Sequence, residues 1–271
     1  MHIPILTYHA MNVASNRYAE NDHLALAQDL QTIRQLGLRV ISLSSVVDWW
    51  RGLLPDHAVE GCLAITMDDG SWFDYYDLNH PTCGPQRSML NIARDFRNQH
   101  QGQPAIPMSS FVIASPKARS QLDRTCMLGK GWWDDDWWEA ANQEEVLSIE
   151  CHSWDHTHPT LDQVAQKDNQ RGNFAAVACY EDCYRQVVEA AAHIEAIAGR
   201  RPEFFAYPYG QASAYLRYEF MPKFQHEHRF NAAFSILPKA VEKSDDRWFL
   251  PRYVCGRDWQ STRELKALIS S

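Results

Sequence analysis

The sequence predicts a single α/β domain over residues 1–271, a complete or irregular (β/α) barrel with about seven parallel strands. Three observations lead there. Short apolar runs alternate with helical patterns about seven times, an order that calls for parallel pairing with helices outside the sheet. The 271-residue length matches one barrel. No internal repeat, low-complexity segment or linker divides the chain.

The elements follow in order. "IPILTY" (3–8) reads as a strand. In "LALAQDLQTIRQLG" (24–37), Leu26, Leu30, Ile33 and Leu36 share one helical face and Gly37 is a stop signal. "LRVISL" (38–43) is a strand, with Ser44 or Ser45 capping a helix at "VVDWWRGL". "CLAITM" (62–67) is a strand, "SMLNIARDFRNQ" (88–99) a helix and "IPMSSFVI" (106–113) a strand. Residues 114–142 show no clear period and read as a long functional loop. "VLSIECH" (146–152) is a strand and 173–199 the longest helix. The runs at 203–210, 231–237 and 248–254 complete the strands.

Composition limits the function. The net charge is -8, with Lys and Arg dispersed, which argues against nucleic acid or an anionic membrane surface as the main partner. No run of about 18 apolar residues forms a transmembrane helix. "MHIPILTYHA" has neither the basic start nor the apolar length of a signal peptide, and the seven cysteines contain no CxxC pair. A cytoplasmic location is expected on both counts, with buried free thiols. Oligomeric state is not legible. Ten Trp, eleven Tyr and eleven Phe are unusual, and "DGSWFDYY" and "GWWDDDWW" mix rings with acids. Rings beside carboxylates suit a carbohydrate, which makes Trp72, Trp133 and Trp137 candidates for sugar stacking; rim packing explains each equally well.

The polar residues sit where a barrel places chemistry. "YH" (8–9), "DD" (68–69), "HSWDHTH" (152–158) and "PYG" (208–210) each follow a strand, and all strand ends of a parallel barrel open on one face. Asp68, Asp69, His152, His156 and His9 are therefore expected to converge. Two imidazoles and a carboxylate form a ligand set for catalytic zinc. His152 and His156 are spaced so that one helical turn presents both, with His158 a competitor. Asp68 and Asp69 can then divide the work, one binding metal and one facing its water. The bland alternative for Asp68 is a helix cap or Asx turn. Ser153 is expected to orient the ligand loop or cap a turn, Asp155 to be a solvated loop acid, and His193 and His228 to be packing residues.

"TMDDG", "HSWDH" and "AYPYG", in this order and at strand ends, resemble the polysaccharide deacetylases of carbohydrate esterase family 4. The resemblance implies a distorted (β/α) barrel and a metal-dependent hydrolase that removes acetyl groups from an N- or O-acetylated saccharide. It implies Asp68 as general base acting on a metal-bound water. Asp69, His152 and His156 become ligands of Zn²⁺, or of Co²⁺, Ni²⁺ or Mn²⁺, and Tyr209 an oxyanion donor through its backbone N–H. Two departures stand out. Ala206 and Tyr207 occupy the place of an arginine that contacts the catalytic aspartate in many members, and Arg252 in "LPRYV" is the candidate to replace it. "LKALISS" lacks the usual acid histidine, but "PILTYHAM" resembles the permuted branch that includes poly-N-acetylglucosamine deacetylases, where the acid lies on the first strand. His9 is then the general acid. A carbohydrate-binding pseudoenzyme and an amidohydrolase for a non-sugar C–N bond are the alternatives.

Overall fold

The computed structural model describes residues 1–100, 102–144 and 146–270. Its strands, in chain order, are β1 (Ile5–Tyr8), β2 (Arg39–Val40), β3 (Cys62–Asp69), β4 (Leu78–His80), β5 (Gly84–Gln86), β6 (Met108–Val112), β7 (Leu147–Cys151), β8 (Phe204–Ala206), β9 (Ala232–Phe234) and β10 (Tyr253–Val254). Strands β4 and β5 form a separate antiparallel ribbon. The others make one parallel sheet in the order β10-β1-β3-β6-β7-β8-β9, with β2 alongside the start of β3. Residues 250–254 draw its edges together: Leu250 bridges Phe234 at one edge, while Tyr253 pairs with Leu6 at the other. The result is the distorted (β/α) barrel that the strand–helix alternation predicts.

Strand β3 shows why apolar runs here lack a polar alternation. Leu63, Ile65 and Met67 are buried with Leu26, Leu30 and Ile33 of the helix Asp22–Gln35 and with Leu90 and Phe96 of the helix Met89–Gln99. Ala64, on the opposite face, joins Ile5, Phe111, Phe204 and Phe234 in a second cluster, closed by Val46 and Trp49 of the helix Leu43–Trp50. Both faces are covered, so both are apolar. Full burial of each Leu, Ile or Met is worth roughly 1.5–3 kcal/mol. Thr66 and Asp68 share the inner face with Ala64 by strand alternation, so this strand turns polar groups into the barrel toward its C-terminal end.

Several elements differ from expectation. Residues 114–142 are not one long loop; they contain the helices Pro116–Cys126 and Trp138–Gln143, the latter running one residue further. The first presents only Ala118 and Leu122 as buried apolar residues, its other buried side chains being Arg119 and Asp123, so it has little hydrophobic period. Its cap was legible nonetheless: Ser115 Oγ accepts from Ala118 N at 3.3 Å and Pro116 opens the first turn. The helix at 43–50 is capped by Ser42, not Ser44 or Ser45, with Ser45 N donating to Ser42 Oγ at 3.1 Å. Helical structure between 173 and 199 begins in earnest at Tyr180, after a short 3-10 turn at Phe174–Ala176, and passes through a π-helical stretch at Tyr184–Glu189. All seven cysteines are free, and five are buried.

Candidate active site

The DDG segment ends β3 in a forced way. Asp69 pairs with Val112 of β6 and turns into the left-handed region at φ 77°, followed by Gly70 at φ 69°. A Cβ on Gly70 would come within 2.9 Å of the Val112 Cα, so glycine is required at that close approach. Trp133 Nε1 donates to the Asp69 carbonyl at 3.1 Å and fixes the turn from the other side.

Asp68 and Asp69 then face different partners. Asp68 points into the barrel and is 4% exposed. Arg252, fully buried, grips it in a two-pronged pair, Nη1 to Oδ1 at 2.7 Å and Nη2 to Oδ2 at 2.8 Å. The same guanidinium donates from Nε to the Ser235 carbonyl at 3.1 Å and from Nη1 to Thr66 Oγ1 at 3.2 Å. Burial alone would raise the Asp68 pKa, but Arg252, helped by His152, holds it down at about 2. Asp68 is therefore neither a helix cap nor an Asx turn. Each carboxylate oxygen keeps a second lone pair for another donor.

Asp69 faces two imidazoles. Its Oδ1 lies 3.6 Å from His152 Nε2 and 3.6 Å from His156 Nε2. One ligand atom from each of Asp69, His152 and His156 lies within 4.8 Å of the others, and among the described residues this is the cluster with metal-ligand spacing. The donor chemistry fits a divalent ion. His152 Nδ1 lies 2.8 Å from the Ala206 carbonyl, which only accepts, so that nitrogen carries the proton and Nε2 offers its lone pair. Burial, then neighbouring His152 and His158, pushes the His156 pKa well below its ordinary value and keeps it neutral, as a ligand must be. His158 lines the same cleft but is outside that cluster, with its Nδ1 3.0 Å from Thr160 Oγ1.

The two histidines do not sit on a helical turn. Residues 153–157 form an irregular loop with Ser153, His156 and Thr157 in the left-handed region, at φ 70°, 62° and 42°. Ser153 Oγ accepts from His156 N at 3.0 Å and sets that loop. Asp155, expected to be solvated, is buried: its Oδ1 accepts from Thr157 N at 3.0 Å and from Gln186 Nε2 at 2.8 Å. Gln186 Oε1 in turn accepts from Trp154 N at 3.1 Å. This acid holds the loop's backbone, which in sequence looks no different from a surface acid.

The remaining expected residues divide clearly. A cleft of about 310 Å³ is lined by His9, Asp68, Asp69, His152, His156, Trp133 and Tyr209, together with Met11, Ile236 and Arg257, which sequence reasoning did not single out. His9 is positioned by its backbone N–H, which donates to Asp22 Oδ2 at 2.7 Å. Tyr209 is held at φ 58°, ψ 10° in a 3-10 turn, Pro208–Gly210, that follows β8. Trp137 is fully buried, stacked on Tyr75 at 5.8 Å, and lies outside the cleft lining, so it cannot stack on a sugar. Trp72 also lies outside that lining; its ring packs against Tyr76 at 5.3 Å. The acid-rich "GWWDDDWW" is a packed plug around Arg119, whose guanidinium lies 4.7 Å from the Trp138 ring and pairs with Asp135 at 2.5 Å. His228 is buried against Phe230, as a packing residue is, and His193 packs against Trp154.

The family model for polysaccharide deacetylases matches residues 106–221, a span that contains "HSWDH" and "PYG". No curated protein matches the chain. Among solved structures, IcaB from Ammonifex degensii shares 17% identity over 100% of this chain and 97% of its own, with a TM-score of 0.62. The Streptococcus pyogenes deacetylase PplD, in complex with acetate, shares 14% over 99% and 98%, with a TM-score of 0.65. The deacetylase domain of BpsB from Bordetella bronchiseptica shares 14% over 93% and 95%, with a TM-score of 0.61. At these identities the structural likeness concerns the fold. Over residues 106–221, with the HSWDH and PYG motifs at strand ends, this chain is similar to the polysaccharide deacetylases.

Proposed function

We propose that this protein is a metal-dependent hydrolase that removes acetyl groups from an N- or O-acetylated saccharide. The observation that carries the reading is the joint placement of Asp68, paired with Arg252, beside the Asp69–His152–His156 cluster in one cleft. A lectin has no need of a buried carboxylate tuned by an arginine next to a ligand set.

The residues take the following roles. Asp69, His152 and His156 hold Zn²⁺ or a similar divalent ion, which when bound supplies Lewis acidity toward the acetyl carbonyl and toward water. Asp68, kept ionised by Arg252, accepts the proton of the attacking water on an oxygen lone pair that Arg252 leaves free. The Tyr209 backbone N–H donates to the oxyanion that develops on the acyl carbon. His9 donates a proton to the departing amine or alkoxide. Arg252 positions Asp68 and does not touch substrate. The Tyr209 ring in a cleft of about 310 Å³ favours a sugar over a purely apolar amide. The partner is thus the acetylated saccharide itself. Among the described residues no helix is long and apolar enough to cross a membrane.

The test is acetate release from short N-acetylglucosamine oligomers and an aryl acetate by metal-stripped protein, with and without added Zn²⁺. Release that requires the ion supports the reading. Saccharide binding without release from either substrate would instead favour a carbohydrate-binding protein.

A further inference from the structure

The Tyr209 hydroxyl is a polar group, on a residue of the cleft lining, that the proposed reaction leaves unused. The ring meets His156 edge-on, with centroids 4.5 Å apart, and lines the cleft beside Asp69. Its oxygen is buried, yet it has no hydrogen-bond partner among the described residues. Buried hydroxyls are almost always paired, and one left alone is destabilising. Ser153 Oγ takes His156 N and Thr66 Oγ1 takes Arg252, while the unpaired hydroxyls of Ser71 and Thr157 belong to residues outside the cleft lining. Tyr207 also lines the cleft and has an unpaired hydroxyl, but its ring is fully buried between Phe205 and Phe249, whereas the Tyr209 ring meets the ligand histidine His156.

The backbone holds this ring where it is. Tyr209 occupies the left-handed region, which a non-glycine residue adopts at a cost. The next residue, Gly210, packs so closely that a Cβ would stand 3.0 Å from the Ile236 nitrogen. A strained turn therefore fixes an unsatisfied donor beside the ligand cluster, on a residue that lines the cleft.

We propose that the Tyr209 hydroxyl donates a hydrogen bond to an oxygen of the saccharide residue that carries the acetyl group. Through it the cleft distinguishes a sugar from an acetyl compound with no oxygen at that place. The inference rests on the deacetylase reading and adds a side-chain role to the backbone N–H role of the same residue. One substitution separates the two, because Tyr209→Phe keeps the backbone N–H, the ring and the turn and removes only the hydroxyl.

The experiment compares zinc-loaded wild-type protein with Tyr209→Phe. It measures kcat/KM for an N-acetylglucosamine trimer and for an aryl acetate, together with Tm. The ratio of the two kcat/KM values is expected to fall about three- to tenfold, the loss of one neutral hydrogen bond. Tm is expected to hold or rise slightly, since no partner is left unpaired. An unchanged ratio overturns the proposal while leaving the deacetylase reading in place. A lowered Tm with an unchanged ratio overturns it too, and assigns the hydroxyl to the fold. A wild-type protein that turns over neither substrate overturns the deacetylase reading and the proposal together.

Discussion

Arg252→Met is the substitution whose outcome follows most directly from the geometry. Arg252 and Asp68 are 0% and 4% exposed, and methionine fills much of the arginine's volume without its charge. The change leaves a buried carboxylate with no guanidinium, a loss that costs about 3–5 kcal/mol in comparable buried pairs. For a chain of this size each kcal/mol lowers Tm by about 2–4 °C, so the expected fall is roughly 6–20 °C. The pH dependence has a definite sign. With its folded pKa at about 2, below the unfolded value, Asp68 adds stability that is present above about pH 4 and lost as pH falls toward 2. Without Arg252, burial dominates and the pKa moves above about 4, so an acid limb appears in the variant's activity at or above that pH. Thermal melts by circular dichroism and a pH profile of acetate release read both effects. The double variant Asp68→Asn/Arg252→Met removes both charges and is expected to recover most of the lost stability. A Tm within 2 °C of wild type on Arg252→Met, with an unchanged pH profile, would refute the buried-pair argument.

Other predictions follow from the same structure. Asp69→Ala, His152→Ala and His156→Ala each weaken zinc binding in a calorimetric titration by at least about tenfold, while His158→Ala leaves affinity and stoichiometry near wild type. His9→Ala lowers kcat by about 10²–10⁴ with zinc binding intact; near-normal turnover would remove His9 as the acid. Asp74 is buried, and burial raises its pKa to about 8 despite a hydrogen bond from Ser110. A raised carboxyl pKa gives stability that is lost as pH rises through the folded value, so Asp74→Asn gains on wild type by up to about 1.4 kcal/mol per pH unit between pH 6 and 8. Urea melts of the metal-free proteins across that range test the sign.

The barrel was legible because its strands are buried on both faces. Runs such as "CLAITM" carry no charged residue to interrupt them, and Gly37 and Gly199 mark helix ends in the sequence itself. The convergence of Asp68, Asp69, His152 and His9 was legible for a topological reason: parallel strands deliver all their C-terminal residues to one mouth. What stayed hidden rests on contacts between segments distant in sequence. Trp133 reads as a sugar platform until its indole N–H is seen to hold the Asp69 carbonyl. Asp155 reads as solvated until Gln186, thirty-one residues away, is found against it. The helix Pro116–Cys126 escaped because its buried face is charged, with Arg119 and Asp123 taking places that apolar residues would mark. Its Ser-Pro start was the available sign.

The central claim is that Asp68 acts as base beside a metal held by Asp69, His152 and His156. The direct measurement is zinc stoichiometry and acetate release from an N-acetylglucosamine oligomer by wild type and by Asp68→Asn, measured on the same preparations. One bound zinc is expected in both proteins, with acetate release reduced at least about 10²-fold in the variant. Near-normal release by zinc-loaded Asp68→Asn, or zinc-independent release by the wild type, would contradict it.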